Sequence, residues 1–232
     1  MPDIRTFDRE HFFDAFPRFL DTSETGQRIE RFNGRYLALI DSNRDLINGA
    51  TVLDLASHDG RWSFAALQNG ATKVVGIEHK PGLVRKSREN MEFYGVSPQS
   101  FDFILGDMFD VIDDVECCDV VFCFGVFYHI NNHMLLLSKI ARLNPRVLIL
   151  DTNISLSDRP VIELVHEENG GPLIGRPSKP GLEEMFASFG WSFDCFDWIA
   201  SGLTGPGAGP LCDYWSGQKR PARRLTAVVR CR

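Results

Sequence analysis

The chain has 232 residues, 44% of them apolar, and a formal charge of −6. That is enough apolar material for one globular core, and the acidic balance argues against a dedicated nucleic-acid or membrane surface. The N-terminus has no apolar run of signal-peptide type, no window approaches the roughly 18 uninterrupted apolar residues of a membrane span, and a cytosolic (cytoplasmic) protein is expected. Six cysteines, at 117, 118, 123, 195, 212 and 231, form no C-x-x-C pair; they read as reduced thiols, with Cys118 and Cys123 as packing residues.

In chain order, residues 9 to 20 and about 24 to 47 carry helical patterns. Phe12, Phe13, Phe16 and Leu20 form one face; Ile29, Phe32, Tyr36, Leu37 and Ile40 form another. These helices either cover the turn that follows or layer on a sheet. From residue 50, short apolar strands near 51–55, 73–77, 101–105, 118–123 and 146–150 alternate with helical segments near 62–69, 81–94 and 132–143. Pro81 is well placed at a helix start. Such alternation predicts an α/β fold with parallel pairing and right-handed crossovers, whose ligand crevice opens at the carboxyl ends of the strands. Between 152 and 180, Val161-Ile-Glu-Leu-Val165 and the turn-rich Asn169-Gly-Gly-Pro172 suggest an inserted hairpin or lid. Ser201 to Pro210 is a long Gly/Pro loop, expected to be exposed. One domain is expected over 1–232: a helical segment over 1–48, a cofactor-binding core over 49–151, and an acceptor-side half over 152–232.

The acids at the strand ends carry the chemistry. Asp54 ends the first strand and enters the turn Ala56 to Gly60. Glu78 closes the second strand at about the spacing at which an acid meets ribose hydroxyls. A pyrophosphate would need the glycines of G-x-G-x-x-G, of which only Gly60 survives, so a dinucleotide is disfavoured. S-adenosylmethionine has no phosphate, carries a positive sulfonium and presents two ribose hydroxyls; Asp54, Glu78 and Asp107 suit it.

The chain resembles the class I S-adenosylmethionine-dependent methyltransferases. The matching motifs are Val52-Leu-Asp-Leu-Ala-Ser-His-Asp-Gly60, Val75-Gly-Ile-Glu78, Leu105-Gly-Asp-Met108 and Asp119-Val-Val-Phe-Cys-Phe-Gly-Val-Phe-Tyr-His129, over about residues 48 to 152. The resemblance implies a single Rossmann-like doubly wound sheet, mostly parallel with an antiparallel last strand near 224–231, and helices on both faces. A helix near 180–189 and a strand near 191–198 would precede that last strand. It implies S-adenosyl-L-methionine as cofactor, held by Asp54, Ala56, His58, Gly60, Glu78, His79, Asp107, Met108, Phe124 and Gly125. Glu78 would accept both ribose hydroxyls, and Asp107 would accept from the adenine amine while Met108 packs on the ring. Gly125 would let the backbone approach the sulfonium. Ala56 and His58 stand where the family's turn has its first two glycines, and His58 puts a large polar side chain where the methionine end of the cofactor should pass. Some of these residues have a plainer reading beside this one: Asp54 capping the following helix, Asp107 capping a short helix, His79 pointing to solvent.

Gly125-Val-Phe-Tyr-His129 is similar to the Gly-x-Leu-Tyr-His segment of relatives of the wobble-uridine carboxymethyl-transferring enzymes and of many small-molecule methyltransferases. A histidine there suits removal of a hydroxyl proton, so His129 is the candidate base, with a loop-holding histidine as the alternative. Asp151 is the second candidate for catalysis. Asp151-Thr152-Asn153 also matches half of a magnesium set, but the fourth strand ends without the matching acid, so no metal is expected. His11, His133 and His166 read as surface or helix histidines. Lys219-Arg220-Pro-Ala-Arg-Arg224 could hold a phosphate or RNA backbone, or be a solvated turn. The leading function is O-methylation of a small polar acceptor, such as a sugar or natural-product intermediate. Its rivals are a wobble-uridine-type RNA enzyme and a cofactor-binding protein without catalysis. Nucleic acid and membrane are disfavoured as partners, and an enzyme of this size is often a homodimer.

Overall fold

A computed structural model describes residues 9–25, 28–166, 171–198, 200–201 and 224–231. After a 3-10 turn at Arg9–His11 come α1 (Phe12–Ala15), α2 (Arg18–Thr22), α3 (Ile29–Leu39), a 3-10 turn at Asp41–Asn43, and α4 (Arg44–Ile47). The alternating part follows as β1 (Thr51–Leu55), α5 (Arg61–Gln68), β2 (Lys73–Glu78), α6 (Pro81–Phe93), β3 (Phe101–Leu105), α7 (Met108–Val111), β4 (Val120–Phe124), α8 (His133–Arg142) and β5 (Val147–Asn153). Then come β6 (Ile162–His166), β7 (Leu173–Pro177), α9 (Lys179–Ala187), β8 (Ser192–Cys195) and β9 (Arg224–Arg230). Among the described residues one seven-stranded sheet has the order β3-β2-β1-β4-β5-β9-β8. β1 with β2 and β2 with β3 run parallel, and β9 runs antiparallel to both β5 and β8. The antiparallel last strand is therefore present, inside the sheet rather than at its edge. The inserted hairpin is present too, as the antiparallel pair β6 and β7.

The chain divides into two compact units, residues 1–122 and 123–232, and the division falls within β4. It parts at residue 122 the core expected over 49–151.

In the first unit the two expected N-terminal helices are broken, for local reasons. Pro17 disfavours helical backbone at Phe16, whose φ and ψ are −128° and 57°. The break shifts the phase, so that Phe19 is fully buried and Leu20, the expected core residue, is not. After Leu39 the side chains of Ser42 and Asn43 take the carbonyls of Ala38 and Leu39, at 2.7 and 3.0 Å, in place of backbone donors. The buried aromatics nevertheless form one cluster. Phe12 stacks on Tyr36 at 4.0 Å between centroids, and Phe16 and Phe19 meet Phe64 of α5 at 4.7 and 5.2 Å. Each fully buried ring stabilises by about 1.5–3 kcal/mol. The N-terminal helices thus layer on α5, and they also reach the turn before it: Thr22 Oγ1 donates to Asp59 Oδ2 at 2.7 Å.

In the second unit β5 is buried from Val147 to Thr152, and Leu182 and Phe186 of α9 are buried, as are Ala227 and Val229 of β9. Cys118 and Cys123 are buried thiols, as expected. No helix among the described residues is long and apolar enough to cross a membrane.

Candidate active site

Within the first unit, β1 delivers Asp54 to the turn that opens α5. Its carboxylate is buried and accepts from Ser63 Oγ of α5 at 2.7 Å. The carboxylate is thereby bonded to the third residue of α5. Burial pushes the Asp54 carboxyl up to about 7; the Ser63 hydrogen bonds and Arg61 oppose this, while the like charge of Glu78 adds to it. Five residues on, Asp59 is equally buried but shifts the other way. Burial raises it too, but the charge of Arg61, whose Nε donates to Oδ1 at 2.7 Å, the adjoining His58 imidazole and the Thr22 hydroxyl outweigh that and hold it at about 2.

The turn holds left-handed backbone at the two positions where glycine is replaced. Ala56 and His58 have φ of +53° and +57°, and Gly60 has +80°. The side chain of His58 is not loose: Arg61 Nη2 lies 2.7 Å from its Nδ1. Glu78, 4% exposed at the end of β2, receives the backbone N–H of His58 on Oε2 and that of Lys80 on Oε1, both at 3.0 Å. Two amides thus orient a carboxylate whose oxygens each have a second acceptor direction. On the same turn, the Ser57 hydroxyl is buried without a hydrogen-bond partner, and it lies 2.7 Å from where a Cβ on Gly76 would stand. An oriented carboxylate, an unsatisfied hydroxyl and a turn lacking phosphate-cradling glycines fit a nucleoside with free ribose hydroxyls. His79 is exposed, with Nδ1 3.1 Å from Glu78 Oε1. Asp107 is exposed and caps α7, accepting from the Phe109 N–H at 2.8 Å; Met108 is half-buried as the first residue of that helix. The plainer reading of Asp107 is thus realised, and it leaves the adenine-facing role compatible.

Within the second unit, Phe124 is buried at the end of β4, and Gly125 follows with φ +80° and its N–H donating to the Asp151 carbonyl at 2.8 Å. A Cβ there would meet only an ordinary 3.5 Å contact with Arg224 Nη2, so backbone conformation rather than space demands glycine. His129 ends a 3-10 turn, Phe127–His129, and is exposed beside the Tyr128 ring, at 4.1 Å between centroids. Asp151 has a different role from the one expected. It is fully buried and held bidentate by Arg224, Nε to Oδ1 at 2.9 Å and Nη2 to Oδ2 at 2.6 Å, with the Thr226 hydroxyl on Oδ1 at 3.0 Å. A carboxylate so committed anchors Arg224, which in turn lies 5.5 Å from the Tyr128 ring centroid. Arg224 thereby leaves the basic cluster proposed for a phosphate or RNA backbone; residues 219–223 of that cluster, like most of the 201–210 loop and Cys212, lie outside the described residues. His133 is a helix histidine, the first residue of α8, and not a surface one: it is buried, with Nε2 donating to the Phe127 carbonyl at 3.0 Å and burial pushing its imidazole below the ordinary range. His166 is exposed on β6, as expected. No group of three or more His, Cys, Asp or Glu among the described residues could hold a metal ion.

Sequence reasoning missed Arg61, Asp59 and Thr22 behind the turn. The Asp59-x-Arg61 spacing was their only signal, and Thr22 had none.

A methyltransferase-domain family model matches residues 46–172. The ribosomal protein L11 methyltransferase of Citrobacter koseri is 43% identical over 51 residues, 22% of this chain and 17% of that protein. The match thus spans about a sixth of that relative's length. The N-terminal domain of EvdMO1, solved in the presence of SAH and D-fucose, superposes with a TM-score of 0.62 at 17% identity, over 97% of this chain and 98% of that one. The DhpI–SAH complex gives 0.57 at 17% identity, over 98% and 96%. With the family's motifs on the strand ends and its model matched over more than half of the sequence, the chain belongs to the methyltransferase-domain family, the class I S-adenosylmethionine-dependent methyltransferases.

Proposed function

We propose that the protein transfers the methyl group of S-adenosylmethionine to a hydroxyl oxygen of a small polar acceptor, such as a sugar or natural-product intermediate. The observation that carries this is the Glu78 carboxylate, buried and oriented by two backbone amides, where ribose hydroxyls need paired acceptors. Asp54, the turn from Ala56 to Gly60, His79, Asp107 and Met108 complete the nucleoside side, with Phe124 and Gly125 toward the transferable group. When bound, the cofactor supplies an activated methyl on a sulfonium, so the protein's task is mostly alignment of the acceptor oxygen. A free hydroxyl is a poor nucleophile, and His129 on its exposed turn takes the proton as the oxygen attacks. Asp151 serves through Arg224, packing beneath Tyr128 next to that histidine. The domain solved with D-fucose supports a sugar-sized acceptor. The RNA reading keeps Gly125 to His129 and loses Arg224, which is buried against Asp151.

The test is incubation with S-adenosylmethionine labelled in the methyl carbon, together with a panel of sugars and hydroxylated metabolites, bulk tRNA and bulk protein. Label is expected in a small-molecule O-methyl ether. Label confined to tRNA or to protein overturns the reading.

A further inference from the structure

The hairpin of β6 and β7 has two outer edges, and the described residues cover one of them. The Ser178 N–H donates to the Val161 carbonyl at 2.9 Å, one step beyond the pair Ile162 and Pro177. Bonded and non-bonded pairs alternate along an antiparallel ladder. Leu173, Gly175 and Pro177 therefore aim their backbone groups away from β6, and Ile162, Leu164 and His166 aim their N–H and C=O groups away from β7. On the β7 side these groups are taken: the Gly175 N–H donates to the Ile130 carbonyl at 3.1 Å, and the Leu173 and Pro177 carbonyls accept from Asn131 Nδ2 at 2.6 Å and from the Ser155 N–H at 3.0 Å. On the other side no strand pairs with the outer edge of β6 among the described residues. Ile162 and Leu164 share a face of the hairpin and are 39% and 57% exposed; Leu173, opposite His166 on that face, is 42% exposed. Neither Pro nor Lys, which guard exposed strand edges, occurs from Ile162 to His166. The acid of the strand, Glu163, lies on the other face, directly opposite Arg176 of β7.

We propose that β6 pairs with the same strand of a second copy of this chain, antiparallel about a two-fold axis at Leu164, so that two hairpins become one continuous sheet. In that register the strand is its own complement. Leu164 stands opposite Leu164 of the partner subunit, and Ile162 opposite His166 of the partner subunit, so every outward N–H meets an outward C=O, as an isologous contact requires. The exposed apolar stripe of each copy then covers that of the other. Glu163 falls opposite Val165 of the partner subunit, so no like charges are directly opposed. A strand of another protein could take the backbone bonds, but the second copy brings the matching stripe and register as well. The interface shares its hairpin with the turn of the candidate base, since the far edge of β7 is bonded to Ile130 and Asn131, the two residues after His129.

The test is sedimentation velocity of the full chain from about 1 to 200 μM, a range suited to an interface below the standard size. Wild type is expected to pass from the 26.2 kDa monomer to twice that mass. Leu164→Lys puts two like charges on the axis, and Leu164→Pro removes an outward N–H that the hairpin itself does not use. Both are expected to stay monomeric over the range with the far-UV circular dichroism of wild type, because Leu164 is largely exposed. The register is read by mild oxidation of Leu164→Cys. Directly opposed bonded residues stand about 5.5 Å apart between Cα atoms, within reach of a disulfide, whereas position 163 meets its own counterpart only diagonally, at about 7–8 Å. A reducible covalent dimer is therefore expected in Leu164→Cys and not in Glu163→Cys or in wild type, whose Cys117 and Cys195 are already exposed. Wild type monomeric throughout, a dimer that survives both Leu164→Lys and Leu164→Pro, or equal cross-linking at positions 163 and 164 overturns the proposal.

Discussion

Asp54→Asn should change how stability responds to pH. The carboxyl is pushed from its ordinary 3.8 up to about 7, first by burial and further by the charge of Glu78, against the Ser63 hydrogen bonds and Arg61. Because the folded value lies above the unfolded one, the folded state keeps its proton over an interval in which the unfolded chain releases it. Stability is therefore unaffected below roughly pH 4, falls as pH rises from about 4 to about 7, and carries a constant cost above that. An interval of about three pH units at about 1.4 kcal/mol each gives about 4 kcal/mol. Asparagine is neutral throughout, and its amide oxygen can still accept from Ser63 Oγ, which now donates to Oδ2 at 2.7 Å. Urea unfolding of both proteins, followed by far-UV circular dichroism at a series of pH values, gives the difference in unfolding free energy. Wild type minus variant should drop by about 4 kcal/mol between roughly pH 4 and pH 8. A difference flat across that range would show a carboxylate charged in the folded state throughout, and the reasoning from burial would fail.

The alternating half of the chain was legible in its sequence because buried parallel strands must be continuously apolar. Thr51–Leu55, buried over most of its length, appears at the expected bounds; so does Phe101–Leu105, an edge strand that is only partly buried. β4 begins two residues late because Asp119 is spent on Thr51, whose N–H and hydroxyl both donate to its Oδ2 at 2.9 Å. Glu78 was legible as a strand-end acid because its position follows from strand and spacing. The roles of Asp151 and Arg224 were not: they are 73 residues apart and meet only through the antiparallel pairing of β5 with β9, which no local pattern announces. Phe19 was missed for the opposite reason, a local one, since Pro17 changes the helical phase that the periodicity assumed.

Glu78→Ala should weaken S-adenosylhomocysteine binding by about 1.5–3 kcal/mol, the range for charged hydrogen bonds; unchanged affinity by calorimetry would remove the ribose assignment. His129→Ala should keep that affinity and lose about 10²- to 10⁴-fold in turnover, and a variant that keeps its rate makes His129 a loop residue. Asp151→Asn should destabilise by about 3–5 kcal/mol, because it leaves the Arg224 guanidinium buried beside a neutral partner; denaturant midpoints within error of wild type would refute that pairing. Finally, the Asp54 carboxyl should respond to the charge of Glu78. The charge of Glu78 is one of the causes that raise Asp54, after burial, so Glu78→Gln should let Asp54 ionise at lower pH. The Gln side chain keeps one acceptor and loses the other, a cost that does not vary with pH and cancels when the effect of Asp54→Asn is measured within the Glu78→Gln background. In that background the drop between roughly pH 4 and pH 8 should be smaller and should end at lower pH than in wild type, a coupling read directly from the double-mutant cycle. Identical curves in the two backgrounds would show that burial alone raises Asp54 and that the two carboxylates do not sense one another.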